Sequence, residues 1–202
     1  MQALLRIASL IFTVFLLACS DSPSLGYISE DRVILAFGDS LTVGVGAPTK
    51  DSYPSVLARL SDRHVINAGV SGEVTKEGLT RLPAVLDEHQ PELVVLLHGG
   101  NDILRSRDIE QAKSNLSAMI NMIESQGADV VLIGVPEKKL FSSVAPIYEE
   151  LANEHGVVFI DDTLSGLLRN NEFKSDPIHL NAAGYSKLAE EIHQKLVEGG
   201  AL

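Results

Sequence analysis

Val33-Ile-Leu-Ala-Phe-Gly-Asp-Ser-Leu41 decides the fold. Val33 to Phe37 is an unbroken run of apolar residues of strand length, which predicts a strand buried on both faces. Gly38-Asp39-Ser40-Leu41 follows as a turn that leaves a hydroxyl at the strand's carboxyl end. In open α/β sheets that edge is where ligands bind. Ser40 there is either a nucleophile, if a base and an oxyanion site lie nearby, or one of two residues, with Asp39, that merely cap the next helix.

Outward from this strand, the same unit recurs. His64 to Ala68 is a second short strand ending in Asn67-Ala-Gly-Val-Ser-Gly72, and Glu92 to Leu97 is a third ending in His98-Gly-Gly-Asn-Asp102. Val130 to Val135 and Val157 to Ile160 are the fourth and fifth. Helical spacing separates them. Val56, Leu57 and Leu60 share a face of a helix that Asp51 or Ser52 caps and Pro54 helps to start. Leu79, Leu82, Val85 and Leu86 mark a second, which Pro83 is expected to start or kink. Ile109, Ala112, Leu116, Met119, Ile120 and Ile123 form the core stripe of a third over about 108–126. A helix to about Glu154, a short one around Leu164 to Leu168, and a closing one from Asn181 to about Val197 complete the series. Strands alternating with helices predict a three-layer α/β/α domain with a five-stranded parallel sheet, flavodoxin-like in arrangement, from residue 32 to 202.

Composition narrows the function. Net charge is −11, from 16 basic and 27 acidic residues, which argues against nucleic acid as a partner because phosphate binding needs a basic footprint. No cluster of histidine, carboxylate and cysteine has metal-ligand spacing, so no metal is expected. Gly44 and Gly46 do not form a phosphate loop, since no lysine with serine or threonine follows in register.

The first eighteen residues stand apart. Arg6 is their only charged side chain, and Ile7 to Leu17 is apolar apart from Ser9 and Thr13, a signal-peptide pattern. It ends in Leu16-Leu17-Ala18-Cys19, which resembles a bacterial lipobox. Cys19 is the only cysteine, so no intrachain disulfide forms, and lipidation accounts for it. Residues 1–18 are thus expected to be a signal peptide and 19–31 a tether. Removing the former shifts the net charge to −12, so membrane attachment is expected to be by the lipid alone, since anionic membranes repel such a chain. Ser20 after the cysteine favours the periplasmic side of the outer membrane, or the cell surface, by analogy with other lipoproteins.

One more element carries chemistry: Asp176-Pro-Ile-His179, just before the last helix. An aspartate three residues ahead of a histidine on a loop can fix the imidazole's tautomer while the other ring nitrogen takes a serine proton. Ser40, Asp176 and His179 therefore supply nucleophile, orienter and base. Gly72, Asn101 and the N–H of Ser40 are the candidate donors to a developing oxyanion.

With these residues in place the chain resembles the GDSL, or SGNH, hydrolase family. Gly38-Asp-Ser-Leu41, Asn67 to Gly72, Gly99-Gly-Asn-Asp102 and Asp176-Pro-Ile-His179 match its four blocks in order. The run from Asn67 to Pro83 is most similar to the small bacterial arylesterase/acyl-thioesterase/lysophospholipase group. The resemblance implies a flavodoxin-like fold and cofactor-free hydrolysis of a small acyl ester or thioester. It assigns Ser40 as nucleophile, Asp176 and His179 as acid and base, and Ser40, Gly72 and Asn101 as oxyanion donors. His98 departs from the pattern, where an apolar or acidic residue is more usual, and is read as making a local structural hydrogen bond. The alternatives are a deacetylase of cell-envelope carbohydrate on the same fold, or an envelope lipid- or glycan-binding protein without catalysis. Two loops are expected to flank the acyl chain, one through Val74 and the other through Leu140 and Phe141.

Overall fold

The computed structural model describes residues 23–138 and 143–202. Cys19, Leu140 and Phe141 lie outside the described residues. Five strands, β1 (Val33–Gly38), β2 (His64–Gly69), β3 (Leu93–Leu97), β4 (Asp129–Ile133) and β5 (Val158–Ile160), form one parallel sheet in the order β2-β1-β3-β4-β5. β3 sits at the centre with all five residues buried, as its uninterrupted Leu-Val-Val-Leu-Leu demands. Each such side chain removed from water is worth about 1.5–3 kcal/mol. β2 is an edge strand, and its half-exposed pattern fits its more polar sequence.

The helices among the described residues are α1 (Ser40–Val43), α2 (Tyr53–Ser61), α3 (Thr75–His89), α4 (Gly100–Leu104), α5 (Ile109–Ser125), α6 (Pro146–His155), α7 (Thr163–Arg169) and α8 (Ala182–Glu198). α2 packs against α8, and α3 and α6 against α5, giving the two helical layers. Because the chain steps from β1 outward to β2 and then back to β3, the topological switch lies between β1 and β3. In a doubly wound sheet the crevice at that point receives ligand. The register pairs Gly38 with Leu97, so the turns that follow these two strands emerge side by side. Gly38 cannot be replaced there: a Cβ would stand 2.0 Å from the Leu97 carbonyl oxygen and 2.4 Å from Thr42 Oγ1.

Several local expectations are corrected. α3 runs through Pro83 as one helix instead of starting there. The proline forgoes one backbone bond, and the buried face of Gly78, Leu82 and Leu86 holds the helix across the gap. Leu60 is 42% exposed, because in the last turn of α2 the buried position goes to Ser61, whose hydroxyl donates to the Leu57 carbonyl. Ile109, the first residue of α5, is also exposed, and the stripe begins at Ala112. Asn115, a polar residue outside that stripe, is buried as well, its amide donating to Thr75 Oγ1.

The expected tether is docked over its last residues. The Leu25 N–H donates to the Gly199 carbonyl at 2.9 Å, Ile28 N–H to the Ala201 carbonyl at 2.9 Å, and Gly26 N–H to Asp129 Oδ2 at 2.6 Å. Ile28 is only 1% exposed. An apolar side chain with that much surface to hide packs against the domain instead of spacing it from anything.

Candidate active site

Ser40 is the first residue of α1. Asp39 caps this short helix, its Oδ1 accepting the Leu41 N–H at 3.1 Å, so the capping task falls to Asp39 and leaves the Ser40 hydroxyl for another partner. That partner is His179, whose Nε2 lies 3.0 Å from Ser40 Oγ. On the other side of the ring, His179 Nδ1 lies 2.7 Å from Asp176 Oδ2. Asp176 Oδ1 accepts the N–H groups of Ile178 and His179, both at 2.9 Å, which folds Asp176-Pro-Ile-His179 into a tight turn and aims the carboxylate at the ring. Partial burial acts to raise the Asp176 carboxyl, but the bonds from His179 and the two N–H groups hold it below the usual carboxylate range. An ionised carboxylate can only accept, so Nδ1 carries the proton and neutral Nε2 is free to accept from the serine.

Two other strand ends meet this turn. Gly72, in the loop after β2, has φ +81°, a left-handed conformation that a side chain would strain, and the Arg105 guanidinium donates to its carbonyl at 2.8 Å. Among the described residues neither the Ser40 N–H nor the Gly72 N–H has a hydrogen-bond partner. Asn101, in α4, donates through Nδ2 to Asp39 Oδ2 at 3.1 Å and to the Glu73 carbonyl at 3.0 Å. Burial pushes the Asp39 carboxyl up, against the opposing pull of His98, the Leu41 N–H, His179 and Asn101. Asp102, next to Asn101, serves as a cap for a different helix: it accepts both the N–H and the hydroxyl of Thr75 at the start of α3, at 2.8 and 2.9 Å.

Ser40, His179, Gly72 and Asn101 line one cavity of about 230 Å³. Its other walls are largely apolar: Leu41, Ile103, Leu104, Val135, Pro136, Leu168 and Ile178. Val74 is not part of this wall; it stands just ahead of α3, its N–H donating to Glu77 at 3.2 Å. Sequence reading missed Leu168, which comes from α7 and carries no local signal. Ile178 lay in view between Asp176 and His179. A larger groove of about 900 Å³ runs along the β5 edge, beside Pro146, Phe159 and Lys195, and holds none of the residues just described. Among the described residues no group of His, Cys, Asp and Glu could hold a metal ion, and no helix is long and apolar enough to cross a membrane.

The geometry therefore offers a hydroxyl, a base already turned to it and three donors around one small apolar cavity. That is the equipment for attack on a carbonyl with charge gathering on its oxygen. The comparisons agree. Residues 36–187 match the profile of the GDSL-like Lipase/Acylhydrolase family. An arylesterase of Vibrio mimicus is 34% identical over an alignment of 206 positions that covers 96% of this chain and 99% of that protein. Thioesterase 1/protease 1/lysophospholipase L1 of Escherichia coli K12 is 29% identical, covering 81% of this chain and 82% of its own. The crystal structure of TesA superposes with a TM-score of 0.74 at 29% identity, over 83% of this chain and 99% of that one.

Proposed function

The chain belongs to the GDSL-like lipase/acylhydrolase family, and from that premise we propose that it hydrolyses carboxylic esters and thioesters of acyl substrates through Ser40, His179 and Asp176. Ser40 Oγ attacks the acyl carbonyl while its proton passes to His179 Nε2. The carbonyl oxygen takes up the negative charge and is met by the N–H groups of Ser40 and Gly72 and the amide of Asn101. Collapse breaks the bond to the alcohol or thiol, which leaves with the proton from Nε2. Water then attacks the acyl-serine, giving its proton to Nε2, and the free acid departs as the proton returns to Ser40. Asp176 holds the ring and offsets the imidazolium charge without being protonated itself.

The observation that carries this reading is the unbroken chain from Asp176 through His179 to Ser40, 2.7 and 3.0 Å per link, opening into an apolar cavity at the switch point. The cavity is smaller than the roughly 300–1,000 Å³ of sites that enclose drug-sized ligands, so short acyl groups fit it best. A p-nitrophenyl ester series is expected to peak at a short chain, and a maximum at palmitate would overturn that size argument. Acyl-CoA and lysophospholipid in the same panel separate thioester from ester preference. Asn101→Ala is expected to lower kcat about 10²–10³-fold with KM nearly intact, because its amide matters most once charge develops. An unchanged kcat would remove Asn101 from the site.

We further propose that residues 1–18 are an export signal and that a lipid on Cys19 holds the protein on the periplasmic side of the outer membrane or at the cell surface, the reading supported by Leu16-Leu-Ala-Cys19. Cys19→Ser is expected to move the protein from the membrane to the soluble fraction. Mass spectrometry showing an unmodified, internal Cys19 in the mature protein would overturn it.

A further inference from the structure

Three ionisable side chains beneath the site take no part in the chemistry above. Glu73 is 6% exposed and His98 is completely buried. Arg81 grips the Glu73 carboxylate with two bonds, Nε to Oε1 at 2.9 Å and Nη2 to Oε2 at 2.7 Å. Its guanidinium also lies 4.1 Å over the ring of Phe37, the last side chain of β1 before the Gly38-Asp39-Ser40 turn. His98 Nδ1 accepts the Gly99 N–H at 2.8 Å, so its proton is on Nε2, which donates to Glu73 Oε2 at 3.1 Å. The ring has its place only because α3 carries Gly78 there: a Cβ on that residue would come within 2.4 Å of His98 Nε2. Burial acts to raise the Glu73 carboxyl, but the hydrogen bonds from Arg81 and His98 and the Arg81 charge outweigh it and hold it down to about 2.

Where Glu73 lies in the chain gives this cluster a use. Two of the three oxyanion donors come from separate loop segments, Gly72 from the one after β2 and Asn101 where the one after β3 enters α4. Glu73 is adjacent to Gly72, and its backbone carbonyl accepts the Asn101 amide. Its carboxylate accepts from His98, three residues ahead of Asn101. One residue thus ties both loops together twice. Both hydrogens of Asn101 Nδ2 have acceptors in the resting site, Asp39 and the Glu73 carbonyl. An oxyanion has only to win one of them, and the bond that remains keeps the amide from turning away.

We propose that Glu73 is a positioning residue for the hydrolysis: gripped by His98 and Arg81, it sets the Gly72 N–H and the Asn101 amide in one register around the developing oxyanion. This rests on the reading that Gly72 and Asn101 are the oxyanion donors. A purely structural ion pair would also lower stability when broken, so melting temperature does not separate the two roles. Turnover measured below the melting temperature of every variant does.

The experiment compares kcat and KM on p-nitrophenyl acetate for Glu73→Gln, Asn101→Ala, the double variant, His98→Gln and His98→Leu. Glu73→Gln is expected to lower kcat about 10- to 100-fold, the scale of a small misplacement of reacting groups, with KM little changed. In the Asn101→Ala background the same substitution is expected to cost less than it does in the wild type, since one of the two donors it positions is already gone. His98→Gln keeps an N–H for Glu73 and is expected to retain most of the turnover, whereas His98→Leu falls with Glu73→Gln. A Glu73→Gln loss that multiplies in full with that of Asn101→Ala overturns the positioning role alone. A kcat unchanged in Asn101→Ala overturns the donor assignment, and the positioning role with it. If Glu73→Gln does not fold, the two His98 variants decide, and equal kcat for them overturns the proposal.

Discussion

Ser40→Ala is expected to lower turnover about 10⁶-fold, and adding His179→Ala to it to cost little more. In the proposed mechanism the two side chains act as one device: His179 raises the rate by taking a proton from Ser40, and without the hydroxyl there is nothing for it to activate. The 3.0 Å contact between Nε2 and Oγ is what makes the losses overlap instead of multiplying. What survives is the activity from binding and oxyanion donors acting on water, about 10³–10⁴ over the uncatalysed rate in well-studied triads. A fluorophosphonate probe is expected to label Ser40 and, in the Ser40→Ala protein, nothing else. Wild-type turnover in that variant, or a label on another serine, would sink the assignment.

Asp176→Asn carries the second large effect, and the turn around it says why. An asparagine there can still accept the Ile178 and His179 N–H groups through its carbonyl oxygen, so the loop keeps its shape. Its NH₂ group then faces His179 Nδ1, which must become an acceptor. The ring proton moves to Nε2, the nitrogen that has to receive from Ser40. In a buried triad this wrong tautomer costs about 10⁴ in kcat. The Asp176 side chain is 45% exposed, where water can share its role, so a loss nearer about 10³-fold is expected here. Melting temperature should stay close to that of the wild type. An Asp176→Asn protein within a few-fold of full turnover would show that the histidine is oriented by something else.

The layered fold was legible because its signals are local. β3 announces itself in Leu-Val-Val-Leu-Leu, and the polar glycine turns after β1, β2 and β3 mark the edge where a site belongs. Ser40, Asp176 and His179 could be paired from residue type and order alone. What escaped depends on contacts between distant parts of the chain. Glu73 and His98 meet across 25 residues, Asp39 and Asn101 across 62, and Asp102 caps a helix that begins 27 residues earlier. No periodicity reports such pairs. A helix start at Pro83 failed for a related reason: a local rule about prolines gave way to the buried face of α3, which runs on both sides of it.

The strap formed by Leu25 to Ile28 fixes the pole of the domain at which the chain arrives from its amino-terminal side. It crosses Asp129, the first residue of β4, and the Ile28 carbonyl accepts from Arg63 just ahead of β2, so it lies at the amino-terminal pole of the sheet. Ser40 opens at the other pole. A leash fastened upstream of the strap therefore holds the molecule by its base, with the catalytic mouth turned outward from whatever the leash is rooted in. Moored by Cys19, the enzyme would sample esters arriving through the surrounding aqueous space, and lipids of the leaflet beneath it would lie on the blind side.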